Sequence, residues 1–150
     1  MSEETKKKKM NIIIWILCAL IALGAFGIPK IYHNYHSAPN YYSVGQKIPL
    51  ENSKTHKLND FQKHQFIKMA KNTIDKKDGP YNWHNYKTVS IDVYKMNGFH
   101  EYGLIYKIKS KSNNEVLTNS MIVKLKSSDL LQYHKVVIKS YSSEMSLSFK

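Results

Sequence analysis

The side chains of this chain that can do chemistry are scattered rather than gathered. Seven histidines stand at 33, 36, 56, 64, 84, 100 and 134. His33 and His36 are three apart, so a helix puts both imidazoles on one face, half of a metal site. No Cys, Asp or Glu stands beside them to complete it, and the pair reads as solvated side chains next to a bilayer. His64 sits beside Lys63 and reads as solvated too. Asp60, Asp75, Asp78, Asp92, Glu101 and Glu115 offer carboxylates, but no two make an acid–base pair. Serines are plentiful, yet none lies in a GxSxG or SxxK nucleophile context. No glycine-rich cradle for phosphate is present. The single cysteine, Cys18, lies in an apolar run, so neither an intramolecular disulfide nor a Cys-based zinc site can form. These residues point to a chain that binds rather than catalyses, and no cofactor or metal is expected.

The densest cluster is DGPYNWHNY, residues 78–86, where Tyr81, Trp83, His84 and Tyr86 crowd one short loop. Trp and Tyr are enriched where proteins touch partners, so the loop is a candidate recognition site. The competing reading is that Tyr81 and Trp83 cover one end of a hydrophobic core, and the composition favours it.

Charge narrows the partners. All 23 basic residues are Lys, against 11 acids. Abundant Lys, Asn, Tyr, Ile and Phe share A/T-rich codons, the signature of a low-GC bacterium. From Lys30 onward 19 lysines face nine acids. Such a surface attracts polyanions, among them anionic lipid and wall teichoic acid. Nucleic acid is the least expected partner, because Arg, whose planar fork reads guanine and phosphate, is missing.

These residues must be positioned by a membrane segment and a small domain. KKKKMNIIIWILCALIALGAFGIPK, residues 6–30, contains twenty consecutive residues without a charge, Met10 to Pro29. At about 1.5 Å per residue they span roughly 30 Å, the hydrocarbon thickness of a bilayer. Signal-peptide cores are shorter, so length favours a retained anchor. Ala25-Phe26-Gly27 nevertheless offers small residues for cleavage, and Leu17 is too bulky before Cys18 for a lipoprotein. Lys6, Lys7, Lys8 and Lys9 on the N-terminal side place that end in the cytoplasm by the positive-inside rule. Tyr32, Tyr35, Tyr41 and Tyr42 then fall at the outer interface, and Pro29 is expected to end the helix.

The expected organisation is a cytoplasmic tail over 1–9, a transmembrane helix over 10–29, a tether over 30–57 and an extracytoplasmic α+β domain over 58–150. Within the tether, VGQKIPL has the composition of a short edge strand but is not counted in the sheet. Asn59 and Gln62 have the spacing of a capping box, and Phe61, Phe66, Ile67, Met69, Ala70 and Ile74 make one apolar helical face. Gly79-Pro80 stops that helix. Four alternating segments follow, 87–96, 102–110, 116–126 and 133–149. They place Val89, Ile91 and Val93 together, Tyr102, Leu104, Tyr106 and Ile108 together, and Leu117, Met121, Val123 and Leu125 together. SSDLL reads as a short helical turn, and the last strand is expected to bend near Ser142-Ser143.

One helix followed by an antiparallel meander of four strands buries one face of each as two layers. This layout resembles the cystatin-like and nuclear-transport-factor-like α+β folds. In particular it resembles small membrane-anchored extracytoplasmic proteins of Gram-positive bacteria that pair one N-terminal helix with such a domain. The resemblance covers residues 58–150 and implies no site residues. The expected protein is a single-pass envelope protein with a non-catalytic binding or accessory domain. Its partners would be the lipid bilayer and an envelope protein or anionic wall polymer. The rivals are a secreted effector or inhibitor, cleaved near Gly27, and a small envelope enzyme.

Overall fold

A computed structural model of the chain describes residues 2–40 and 46–147, with the side chains of 146 and 147 left aside. Tyr41 and Tyr42, expected at the membrane interface, lie outside the described residues. The chain forms two compact units, Met1–Tyr35 and His36–Lys150.

The first unit is helical. Helix α1, Glu3–His36, is 34 residues long and its most apolar 18-residue window has a mean hydropathy of 2.5, with none of that window buried. It is long and apolar enough to cross a membrane. Pro29 does not end it. Over Leu23–Gly27 the helix widens by one residue, and the Ile28 amide donates to Leu23 O, five residues back. Proline has no amide proton to return to the preceding turn and crowds the carbonyl four residues before it. A single wide turn just ahead of Pro29 relieves that clash and lets the helix run on.

The second unit is α+β. Helix α2 spans Asp60–Asp78, and its capping box is formed: Asn59 Oδ1 accepts from the Gln62 amide at 2.8 Å, and Gln62 Oε1 accepts from the Asn59 amide at 3.0 Å. Gly79, at φ 93°, ends the helix in a conformation that side chains with a Cβ resist. The strands are β1 (Ile48–Glu51), β2 (Tyr86–Lys95), β3 (Glu101–Ser110), β4 (Glu115–Leu125) and β5 (Val136–Leu147). They form one antiparallel sheet in the order β1-β2-β3-β4-β5.

The sheet therefore has five strands, not four. The added strand, IPLE, lies in the segment read as a tether. It is four residues long and contains Pro49, which an edge position tolerates because one side of the strand makes no ladder bonds. Burial explains why it belongs to the domain: Leu50 is fully enclosed, and Ala38 and Leu58 join the same core. The packed domain thus starts before residue 58.

The core lies between α2 and one face of the sheet. Phe66, Met69, Ala70 and Ile74 meet Leu104, Tyr106, Met121 and Val123. The expected inner faces of β3 and β4 are those observed. On β2 the ladder slips between Thr88 and Ser90, so Ile91 and Val93 are buried while Val89 is exposed. SSDLL does contain a helical turn, Leu130–Gln132. The irregularity opposite β5 falls between Ile122 and Val123, whose partners are Ser140 and Ile138, not at Ser142-Ser143.

Candidate functional site

Tyr81, Trp83 and Tyr86 are brought together, and they are packed against the core. The Tyr81 and Trp83 rings stack at 5.3 Å between centroids, and Tyr86 lies 5.4 Å from Tyr81. Asp75, on the last turn of α2, holds the group in place. Its carboxylate accepts from the Trp83 indole N–H at 3.0 and 3.1 Å and from the Tyr81 amide at 2.9 Å. The Lys71 ammonium sits 5.1 Å from the Trp83 ring centre, within cation–π range. Burial, then the charge of Asp78, pushes the Tyr81 hydroxyl above its usual range. His84 alone of the four is exposed, on the short turn Trp83–Asn85.

The opposite face of the sheet is open. Tyr94, Gly103, Ile122 and Ser140 align across four strands in one row, and Asp92, Ile105, Ser120 and Ser142 in the next. Tyr94, Met96, Ile105 and Ile122 with the serines line a groove of about 560 Å³. Gly103 makes its floor, and a Cβ there would come within 3.1 Å of Met96 Sδ. The groove offers apolar surface edged by hydroxyls, with Lys47 at its rim. That chemistry suits a peptide or polymer chain lying across strands.

Three polar features escaped the sequence reading. Lys95 is only 2 % exposed. Its ammonium donates to Met96 O and Gly98 O, both at 2.6 Å, and lies 5.5 Å from the Tyr102 ring centre. Burial lowers its pKa, and Glu101 opposes that shift. The signal was present, because Ile91, Val93 and Lys95 share one strand face by simple alternation. Glu51, 3 % exposed, accepts from Lys63 Nζ at 2.8 Å and lies 3.1 Å from His56 Nδ1. The Tyr141 hydroxyl donates to Asp78 and lies 3.0 Å from Asn119 Oδ1, tying β5 to the end of α2. Burial raises the Tyr141 hydroxyl pKa, with the Asp78 contact adding to it.

His33 and His36 both fall on α1, and the His36 ring packs edge-on to Phe61 at 4.2 Å. Among the described residues no three His, Cys, Asp or Glu side chains gather as metal ligands. Lys6, Lys7, Lys8 and Lys9 lie in the first turns of α1, and Tyr32 and Tyr35 near its other end, all exposed. No protein-family model, curated protein or solved structure matches this chain.

Proposed function

We propose that the chain is a single-pass membrane protein whose second unit is a non-catalytic binding or accessory domain at the cell envelope. One observation carries the reading. Helix α1 exposes Ile12, Trp15, Leu20 and Phe26, each 59–78 % accessible, and buries none of its residues. Apolar surface left in water at that density is costly, and hydrocarbon removes the cost. Thirty-four residues at about 1.5 Å each exceed the roughly 30 Å apolar core, which leaves both ends of the helix in the headgroup layers. Lys6 to Lys9 then mark the cytoplasmic side, and Tyr32 and Tyr35 suit the outer interface. The domain faces out of the cell.

The open sheet face is the better binding surface, because the aromatic rings of the 78–86 loop are already engaged by Asp75 and the core. The space between α2 and the sheet is filled by Phe66, Tyr102 and Leu104, which supports a binding module over an enzyme built in that crevice. A helix lying in the chain between β1 and β2, over a sheet ordered 1-2-3-4-5, supports the resemblance to cystatin-like domains. The partner is an envelope protein or an anionic wall polymer.

The test is the intact mass and fractionation of a C-terminally tagged chain, with protease added to whole cells. A full-length, membrane-bound species whose tag is shaved off is expected. A shortened species in the medium, beginning near Ile28, overturns the anchor and makes the chain a secreted effector or inhibitor.

A further inference from the structure

The chain enters the domain at the end of the sheet that combines cations with an exposed aromatic side chain. Ser37 bridges to Asp129, and the Ala38 amide donates to Ser128 O at 2.8 Å, which fixes the entering chain just beyond β4. The turn between β2 and β3 reaches the same end, where the Leu125 amide donates to His100 O at 2.9 Å. An open pocket of about 410 Å³ lies there, lined by Phe99, His100, Lys124, Lys126, Val137 and Lys139. Phe99 is 68 % exposed and Val137 47 %. His100 Nδ1 is buried and, among the described residues, has no hydrogen-bond partner.

The acids at this end are turned to other work. Glu101 pairs with Lys124 across the strands, but its carboxylate lies against Gly98. Asp129 accepts from the Leu131 amide at 2.9 Å. No ion pair engages Lys124, Lys126 or Lys139 among the described residues. Lys87, Lys107, Lys109 and Lys111 form a second cationic cluster at the opposite end of β3. Among the described residues that cluster has no exposed Phe, Tyr or Trp beside it.

We propose that the Phe99–Lys124–Lys126–Lys139 patch docks the domain on the anionic lipid surface of the bilayer that holds α1. The proposal rests on the anchor reading. Ammonium groups at this end meet headgroup phosphates, an attraction that decays within a Debye length and is screened by salt. Phe99 enters the interfacial layer and Val137 lies beside it, apolar groups that water otherwise surrounds. The position of the patch supplies the contact at little entropic cost, because the same end of the domain receives the chain from the helix.

The experiment uses the full chain reconstituted into vesicles of phosphatidylcholine, with or without added phosphatidylglycerol. Lysine amines are labelled with a water-soluble reagent and read by mass spectrometry. With phosphatidylglycerol, labelling of Lys124, Lys126 and Lys139 slows several-fold, while Lys87, Lys109 and Lys111 react as in the neutral vesicles. Salt at about 0.5 M abolishes the difference. The slowing at Lys124 and Lys126 is reduced in Phe99→Ser and kept in Lys87→Glu/Lys109→Glu. Equal labelling in both lipids, or slowing at the Lys87 end instead, overturns the docking patch and leaves the anchor intact. A chain that an alkaline carbonate wash strips from both vesicles overturns the anchor and, with it, the docking.

Discussion

At the scale of single residues, Trp83 acts as a strut. Its ring is stacked on Tyr81 and its indole N–H is held by both oxygens of Asp75. Trp83→Ala removes a half-buried ring and leaves the Asp75 carboxylate with the Tyr81 amide alone, so a loss of about 2–3 kcal/mol in urea unfolding is expected. Asp75→Asn should cost less, about 1–2 kcal/mol, since an amide oxygen still accepts one bond. Unchanged stability in Trp83→Ala, with partner binding lost, would return the loop to a recognition role. His100 makes a different prediction. Burial, then the charges of Lys95 and Lys124, hold its pKa below the ordinary value. The unfolded chain, titrating near about 6.5, therefore binds a proton that the folded chain refuses. Stability contributed by neutral His100 is complete above that value and is lost as pH falls through it toward the folded pKa. His100 has φ 53°, a conformation that Asn tolerates, so His100→Asn preserves the backbone. The stability of that variant should fall less than the parent's between pH 7 and 5, and parallel curves would sink the assignment.

At the scale of elements, legibility followed the regularity of the period. Helix α2 was readable from its capping box to Gly79, because side-chain spacing and terminal chemistry agree there. The inner faces of β3 and β4 were readable because each alternates without interruption. Val89 was misplaced because a bulge between Thr88 and Ser90 resets the alternation, and no residue type announces it. Pro29 was misjudged because one wide turn over Leu23–Gly27 absorbs its clash, a remedy that lies in backbone geometry. Strand β1 is legible only as the edge-strand composition of VGQKIPL, the reading its place beside β2 bears out, because four residues with a proline carry almost no period. Its membership of the core shows in burial, since Leu50 is fully enclosed. Leu50→Ala should therefore cost about 2–4 kcal/mol, as in other enclosed cores. A solvated tether would tolerate it at a few tenths, so the unfolding midpoint of this one variant decides whether the IPLE segment is part of the cooperative domain.

At the scale of the whole domain, charge works against folding. From Lys30 onward 19 lysines face nine acids, and Lys63 and His56 both turn to the same carboxylate, Glu51. On the sheet, Lys87 stands directly opposite Lys109, a like-charge pair that strands avoid. Self-repulsion of this kind weakens the compact state and is relieved by screening. The expected consequence is a domain that gains stability with salt. In a non-ionic detergent, its urea midpoint should rise between about 20 mM and 300 mM NaCl, a range over which the Debye length falls from about 20 Å to 6 Å. Lys87→Glu should raise stability by about 0.5 kcal/mol at the lower salt by turning repulsion into a cross-strand pair. It should also shrink the salt gain. A midpoint that falls with salt would mean that attractive pairs dominate the surface, and the lysines would then be compensated within the fold. A midpoint that rises leaves them uncompensated, which is the electrostatic condition a polyanionic surface would satisfy.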